Sequence, residues 1–280
     1  MIKKGILFVA AVFVTKLTMA QGSCCMKSNS GEAFAMLTHN KQFVAAHLDP
    51  KPFALENPMG QDISVKSSDG QDAHAYEIKA AKPSKNYVLV FHEWWGLNDY
   101  IKQEAERIYK NLGDVNVIAI DLYDRKVATV KDSAAKYMQS VNAERAQKII
   151  QAVLAYMGND VKVATIGWCF GGGWSMQASL LAEKKSKACV MYYGMPEDKM
   201  EKIKTLNPPV LFIWPELDQW INKDIVSKFE ANMKTAKKTL TVKQYNANHA
   251  FANPSNPIYN KEFADDAFAH AMTFIKANLK

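Results

Sequence analysis

Cysteine is scarce in this chain: four residues in 280, two of them adjacent at Cys24-Cys25. That is too few for a disulfide-built scaffold, and no C-x-x-C pair is present to act as a dithiol redox centre. Long apolar runs are scarce too. The run over residues 5–14 falls well short of the roughly 20 residues that cross a bilayer, and no later stretch is longer, so no membrane span is expected. The net charge of +7 comes from scattered lysines, not from a basic stripe interleaved with aromatics, which argues against a nucleic-acid partner. No phosphate-cradling glycine loop, no cluster of metal ligands and no internal repeat stands out, so neither a metal nor a cofactor is expected. What is present, 48% hydrophobic and 22% charged residues, suits one large buried core.

The first residues carry an address. Lys3-Lys4 form a basic start, residues 5–14 an apolar middle, and Thr18-Met19-Ala20 a small-residue cleavage site before Gln21. Residues 1–20 are therefore read as a signal peptide, and the mature protein as exported, periplasmic or extracellular. Loss of Lys3, Lys4 and Lys16 takes the net charge from +7 to +4. Gln21 and Gly22 stand where a lipoprotein signal places an apolar residue, so lipid anchoring at Cys24 or Cys25 is disfavoured. Residues 21–60 read as an N-terminal arm with one or two short helices, ended by Pro50 and Pro52. His39 and His47 have no acid or thiol at useful spacing there, and are read as structural or solvent-facing.

From Gln61 the pattern is regular, and residues 61–280 read as one domain. Two short alternating runs around Ser68-Asp69-Gly70 predict an antiparallel hairpin. Apolar strands at 86–92, 116–120, 161–166, 189–193, 210–214 and 239–245 then alternate with helices at about 98–112, 132–157 (broken near Ser140), 172–183, 223–235 and 261–278. This is α/β: a mostly parallel sheet with an antiparallel N-terminal hairpin and helices on both faces, as in an α/β-hydrolase.

The stretch VKVATIGWCFGGGWS, residues 161–175, organises the chain. It has the strand–turn–helix form of the G-x-S-x-G nucleophile elbow, with Cys169 where the serine stands. Gly167 and Gly171 supply the small neighbours that the tight turn needs. The helix amides behind Cys169 are expected to favour its thiolate. Loops at the carboxyl ends of parallel strands share one rim. That rim collects Asp218 from WPELDQW and His249 from NANHAFANP, giving the chain order nucleophile, acid, histidine. His249 is the expected base, and Asp218 fixes its tautomer, with Glu216 an alternative acid. The oxyanion hole is expected from the backbone amides of Phe170 and Trp94. Glu93 would approach Cys169 from the side opposite His249 and hold the thiol protonated through a hydrogen bond. His92 ends a strand beside the site, in a supporting place.

These pieces, HEWWGLN with Glu93, IDLYDR with Arg125, GWCFGGG with Cys169, the Asp218 loop and HAF with His249, resemble the dienelactone hydrolase (carboxymethylenebutenolidase) family from about Gly60 onward. The resemblance implies hydrolysis of a lactone or activated carboxylic ester through a thioester, with a small-molecule substrate. It also implies that Glu93 holds the thiol and that Arg125 binds a substrate carboxylate. One departure stands out. Where the family's pattern has H-S-x-x-R, this chain reads His249-Ala250-Phe251-Ala252-Asn253, so Asn253 replaces a second carboxylate-binding arginine. A larger or less anionic ester than dienelactone fits better. Two other readings compete: a non-catalytic α/β-hydrolase scaffold binding a small molecule, and a thiol redox protein, which the absence of C-x-x-C disfavours. Oligomeric state is not legible.

Overall fold

A computed structural model of the chain describes residues 29–280. The expected signal peptide and Cys24-Cys25 lie outside the described residues. Eight strands form one sheet: β1 (Gln61–Lys66), β2 (Asp72–Ile78), β3 (Asn86–Phe91), β4 (Asn116–Ile120), β5 (Lys162–Trp168), β6 (Ser186–Tyr192), β7 (Val210–Pro215) and β8 (Leu240–Tyr245). Their order across the sheet is β1-β2-β4-β3-β5-β6-β7-β8. β1 pairs antiparallel with β2, and β2 antiparallel with β4; every later pairing is parallel. The centre reads as continuous apolar sequence because both of its faces are covered: β4 is buried throughout, and β5 from Val163 to Trp168. The edge strand β1 keeps charged Asp62 and Lys66 exposed, which discourages pairing with another chain.

Helices follow the strands: α3 (Asp99–Leu112), α4 (Lys131–Gln139), α5 (Ala143–Tyr156), α6 (Phe170–Leu181), α7 (Met200–Thr205), α8 (Lys223–Thr235) and α9 (Lys261–Asn278). The expected long helix is indeed broken, at Ser140, where Asn142 caps a new one by accepting from the Arg145 amide. The short α7 was not anticipated; six residues carry too little periodicity to read. Asparagine starts α3, α5, α8 and α9 in the same way, satisfying first-turn amides. The helix α6 is different. It begins at Cys169 with no side-chain cap, so its first amides are left for other work.

The segment before the sheet is packed against the body. Helices α1 (Ser30–Ala35) and α2 (Lys41–Ala46), joined by a 3-10 turn at Met36–His39, lie over α6 and the adjoining rim. Gly31 fits under Trp174, where a Cβ would stand 2.4 Å from the indole. Ser30 Oγ donates to the Gly173 carbonyl (3.1 Å) and accepts from Gln177 (2.8 Å). Phe34 and Phe43 are fully buried.

Candidate active site

The elbow shows why its glycines are needed. Cys169 adopts φ 56°, a left-handed conformation that turns its side chain away from strand and helix alike. A Cβ on Gly167 would lie 2.1 Å from the Gly171 carbonyl oxygen, and one on Gly171 2.3 Å from the Phe91 carbonyl oxygen. Gly172 permits a similarly close approach of α6 to Gly194. With those four backbones in contact, Cys169 Sγ stands at the start of α6, and the amides of Phe170 and Trp94 point at it.

On the other side of the sulfur, His249 Nε2 lies 3.4 Å away, and Nδ1 of the same ring is 2.6 Å from Asp218 Oδ2. The Asp218 carboxylate is oriented by the amides of Trp220 (2.8 Å) and Ile221 (3.0 Å) on its other oxygen. Glu216, the alternative acid, is exposed and pairs with Gln244 instead. Three residues separated by 80 and 31 positions along the chain thus form one continuous thiol–imidazole–carboxylate chain.

The loop bearing Glu93 and Trp94 is clamped by a buried histidine. His92 Nε2 accepts from the Leu122 amide (3.1 Å), which assigns the proton to Nδ1, donated to the Glu93 carbonyl (2.6 Å). Burial holds the His92 pKa below its usual value, in keeping with a neutral tautomer. Its work is to tie the exit of β3 to the exit of β4, which fixes the Trp94 amide in space.

Two expectations need correction. The Phe170 amide at the start of α6 and the Trp94 amide do pull the Cys169 thiol pKa down, but burial and then the Glu93 carboxylate dominate and push it well above the usual thiol range. The resting group is a thiol. Second, Glu93 does not hydrogen-bond that thiol. It accepts from Tyr193 Oη (3.3 Å) and from Asn253 Nδ2, so its influence on the sulfur is through charge. Burial raises the Glu93 carboxyl to about 7. Asn253 Oδ1 accepts from the Ser255 amide (2.8 Å) and hydroxyl (2.7 Å), which turns its NH2 toward Glu93. The residue standing in the second arginine's place is therefore a neutral partner for Glu93. Arg125 is exposed at φ 71°, and its side chain lines a separate surface cavity with Asp62, His74 and Asp121. The structure does not bring it to the thiol.

The residue that sequence reasoning missed is His47. It is 5% exposed, its ring centroid lies 5.4 Å from that of His249 and 4.4 Å from that of Trp94, and its Nδ1 donates to the Phe43 carbonyl at 2.7 Å. Its Nε2 has no partner among the described residues. Burial, then the neighbouring His249, lower its pKa to about 3. One imidazole nitrogen of His47, Cys169 Sγ and an imidazole nitrogen of His249 all lie within 4.8 Å of one another, a grouping of metal-ligating types that the sequence did not reveal. No local pattern could have shown it, since the contact spans over a hundred residues. Phe34 and Phe43 come with it, with ring centroids 6.0 and 6.4 Å from that of His249. Under this cover Cys169 is 1% exposed. A cavity of about 220 Å³ opens beside the covered group, lined by His47, Leu217, Trp220, His249 and Ile258. A roomier one of about 430 Å³, around Asp69, Tyr123 and Arg145, lies away from the thiol; its ion pairs (Arg145 to Asp69 at 3.1 Å and to Asp124 at 2.6 Å) give it a structural role.

Comparisons with known proteins agree with this architecture. The sequence profile of the dienelactone hydrolase family matches residues 73–279. A carboxymethylenebutenolidase from a Pseudomonas species is 29% identical over 234 residues, covering 77% of this chain and 94% of its own. Protein usf of Aquifex pyrophilus is 30% identical over 234 residues, covering 79% of this chain and all of its own. Among solved structures, a dienelactone hydrolase-like promiscuous phosphotriesterase from metagenomic libraries superposes with a TM-score of 0.64 at 20% identity, over 79% of this chain and the whole of that one. That last likeness speaks for the fold alone. With its elbow, its sheet order and a family match spanning the sheet from β2 to α9, the chain belongs to the dienelactone hydrolase family of α/β-hydrolases acting on ester or lactone bonds.

Proposed function

We propose that this enzyme cleaves its ester or lactone through Cys169 as nucleophile, with His249 as base and Asp218 as orienting acid. The observation that carries the reading is the hydrogen-bonded line from sulfur to imidazole (3.4 Å) to carboxylate (2.6 Å), starting from a cysteine held at positive φ. His249 Nε2 takes the thiol proton as Sγ adds to the carbonyl carbon. The developing oxyanion takes the Phe170 and Trp94 amides, which lie beside the sulfur. Collapse breaks the C–O bond, the alkoxide leaves with the proton from His249, and a thioester remains. Water, deprotonated by His249, then attacks the thioester; the acid departs and the thiol is restored. For a lactone the alkoxide stays tethered, and the product is a hydroxy acid.

Burial and, once Glu93 is ionised above about pH 7, its charge keep the sulfur protonated between turnovers, a useful restraint where free thiolates oxidise. Residues 1–20 direct export, so the reaction runs in a periplasm or outside the cell; the basic, apolar and small-residue order of that segment is the support. Substrate access requires the segment bearing Phe34 and Phe43 to yield, because Cys169 is covered by it. With Asn253 committed to Glu93 and Arg125 facing another cavity, the acyl group preferred is neutral and apolar. Turnover of an aryl ester tests the reading: Cys169→Ala and His249→Ala should each abolish it, and undiminished turnover in either variant refutes the assignment.

A further inference from the structure

The site holds one more donor atom than a triad uses. His47 Nδ1 gives its proton to the Phe43 carbonyl, and His249 Nδ1 gives its proton to Asp218. Both rings therefore carry bare Nε2 lone pairs, His249 Nε2 faces the sulfur, and His47 offers a ligand nitrogen within 4.8 Å of both Cys169 Sγ and His249. The thiol carries a single proton, which serves His249 Nε2 at 3.4 Å. His47 Nε2 is left buried with nothing to accept. Two imidazoles whose far nitrogens are anchored on a carbonyl and a carboxylate, converging on a cysteine, have the outer-partner pattern that orients histidine ligands on a metal.

We propose that His47, Cys169 and His249 form a binding site for a thiophilic d10 cation, of which Zn2+ is the type. Zn–N bonds of about 2.0–2.1 Å and a Zn–S bond of about 2.3 Å set tetrahedral ligand atoms roughly 3.4–3.6 Å apart. The pair of Cys169 Sγ and His249 Nε2 already has that separation, and the remaining gaps, within 4.8 Å, close by about 1 Å through a turn of the His47 ring. Binding is balanced as one cation in and one proton out: the Sγ–H bond breaks, the proton goes to solvent, and the sulfur lone pair goes to the metal. The Asp218 carboxylate behind His249 offsets part of the added charge. The ligand set is sulfur and nitrogen, which selects against Mg2+ and Ca2+.

The consequence is a resting state. A bound cation occupies both the nucleophile and the base, and through His47 it fastens α2 over the site, so hydrolysis is silenced until the metal is removed. Metal binding itself does not depend on the ester-hydrolysis reading, and its test is independent of turnover.

The full chain, freed of metal with a chelator and titrated with Zn2+ alone, should bind one equivalent that is lost in Cys169→Ser. His47→Gln should weaken it by about 100-fold or more, the upper end of what loss of a mere supporting partner costs. Co2+ in place of Zn2+ should show a thiolate-to-metal charge-transfer band in the native chain and none in Cys169→Ser. Should either variant misfold, peptide-mapped alkylation of Cys169 in the native chain still decides, since bound Zn2+ must protect that thiol. Undiminished binding in both variants, or Cys169 alkylated equally fast with and without saturating Zn2+, overturns the proposal. Protection without any ester turnover would uphold the metal site and sink the hydrolytic mechanism alone.

Discussion

Replacing Phe43 by alanine removes a fully buried ring whose neighbours are His47 (centroids 4.3 Å apart), Trp94 (5.9 Å) and Trp220 (5.4 Å). Inside a rigid core, loss of a phenylalanine side chain costs about 3–5 kcal/mol. Phe43, however, belongs to a short segment docked on the body, so the loss falls on the docking equilibrium of that segment. At about 1.4 kcal/mol per tenfold, even 3 kcal/mol raises the undocked population about 10²-fold. Cys169, 1% exposed in the docked state, should then be alkylated about 10²-fold faster in Phe43→Ala at fixed pH, in chelator-treated protein, with the rate read on its own peptide by mass spectrometry. Global stability should fall by much less than the full 3–5 kcal/mol. An unchanged labelling rate together with the whole loss in unfolding free energy would show that the segment is core and never yields, and the access route would have to be sought elsewhere.

Other expectations are sharper in sign than in size. Glu93 has its pKa raised from 4.5 to about 7, chiefly by burial, so the folded chain holds that proton more tightly than the unfolded one. Its stabilising share is complete below 4.5 and is lost as pH rises through 7; Glu93→Gln should remove this pH dependence, at most about 1.4 kcal/mol per pH unit, and an unaltered stability–pH profile would refute it. Asp218→Asn keeps the shape but misdirects the His249 tautomer, and should lower kcat by roughly 10³–10⁴-fold with KM little changed; a loss confined to KM would speak against the orienting role. Arg125→Ala should leave the ratio of turnover on carboxylate-bearing and neutral esters unchanged, whereas a selective loss on the charged ester would return Arg125 to the substrate site.

Much of the fold was legible because its signals are local. Buried parallel strands read as apolar runs, the hairpin turn as Ser68-Asp69-Gly70, and the elbow as glycines flanking Cys169. The break between α4 and α5 was expected near Ser140, where α4 ends. The order of Cys169, Asp218 and His249 after β5, β7 and β8 was enough to expect one meeting point, since a parallel sheet gathers those strand ends. What was not legible depends on distance through space. The elbow's helix argued for a thiolate, but burial and the charge of Glu93 outweigh a few amides, and neither quantity is written in the motif. Glu93 was placed on the thiol, yet Tyr193 and Asn253 claim both of its oxygens. His47 carried no signal, since only the docking of α2 brings it to a thiol more than a hundred positions away.

The most direct measurement is rapid acid quench of the chelator-treated chain with an activated ester, followed by mass spectrometry of the peptide holding Cys169. An acyl group on Cys169, sensitive to hydroxylamine, appearing before the second product and absent in Cys169→Ala is expected. Full turnover with no acyl adduct on that peptide at any time would contradict the thioester route.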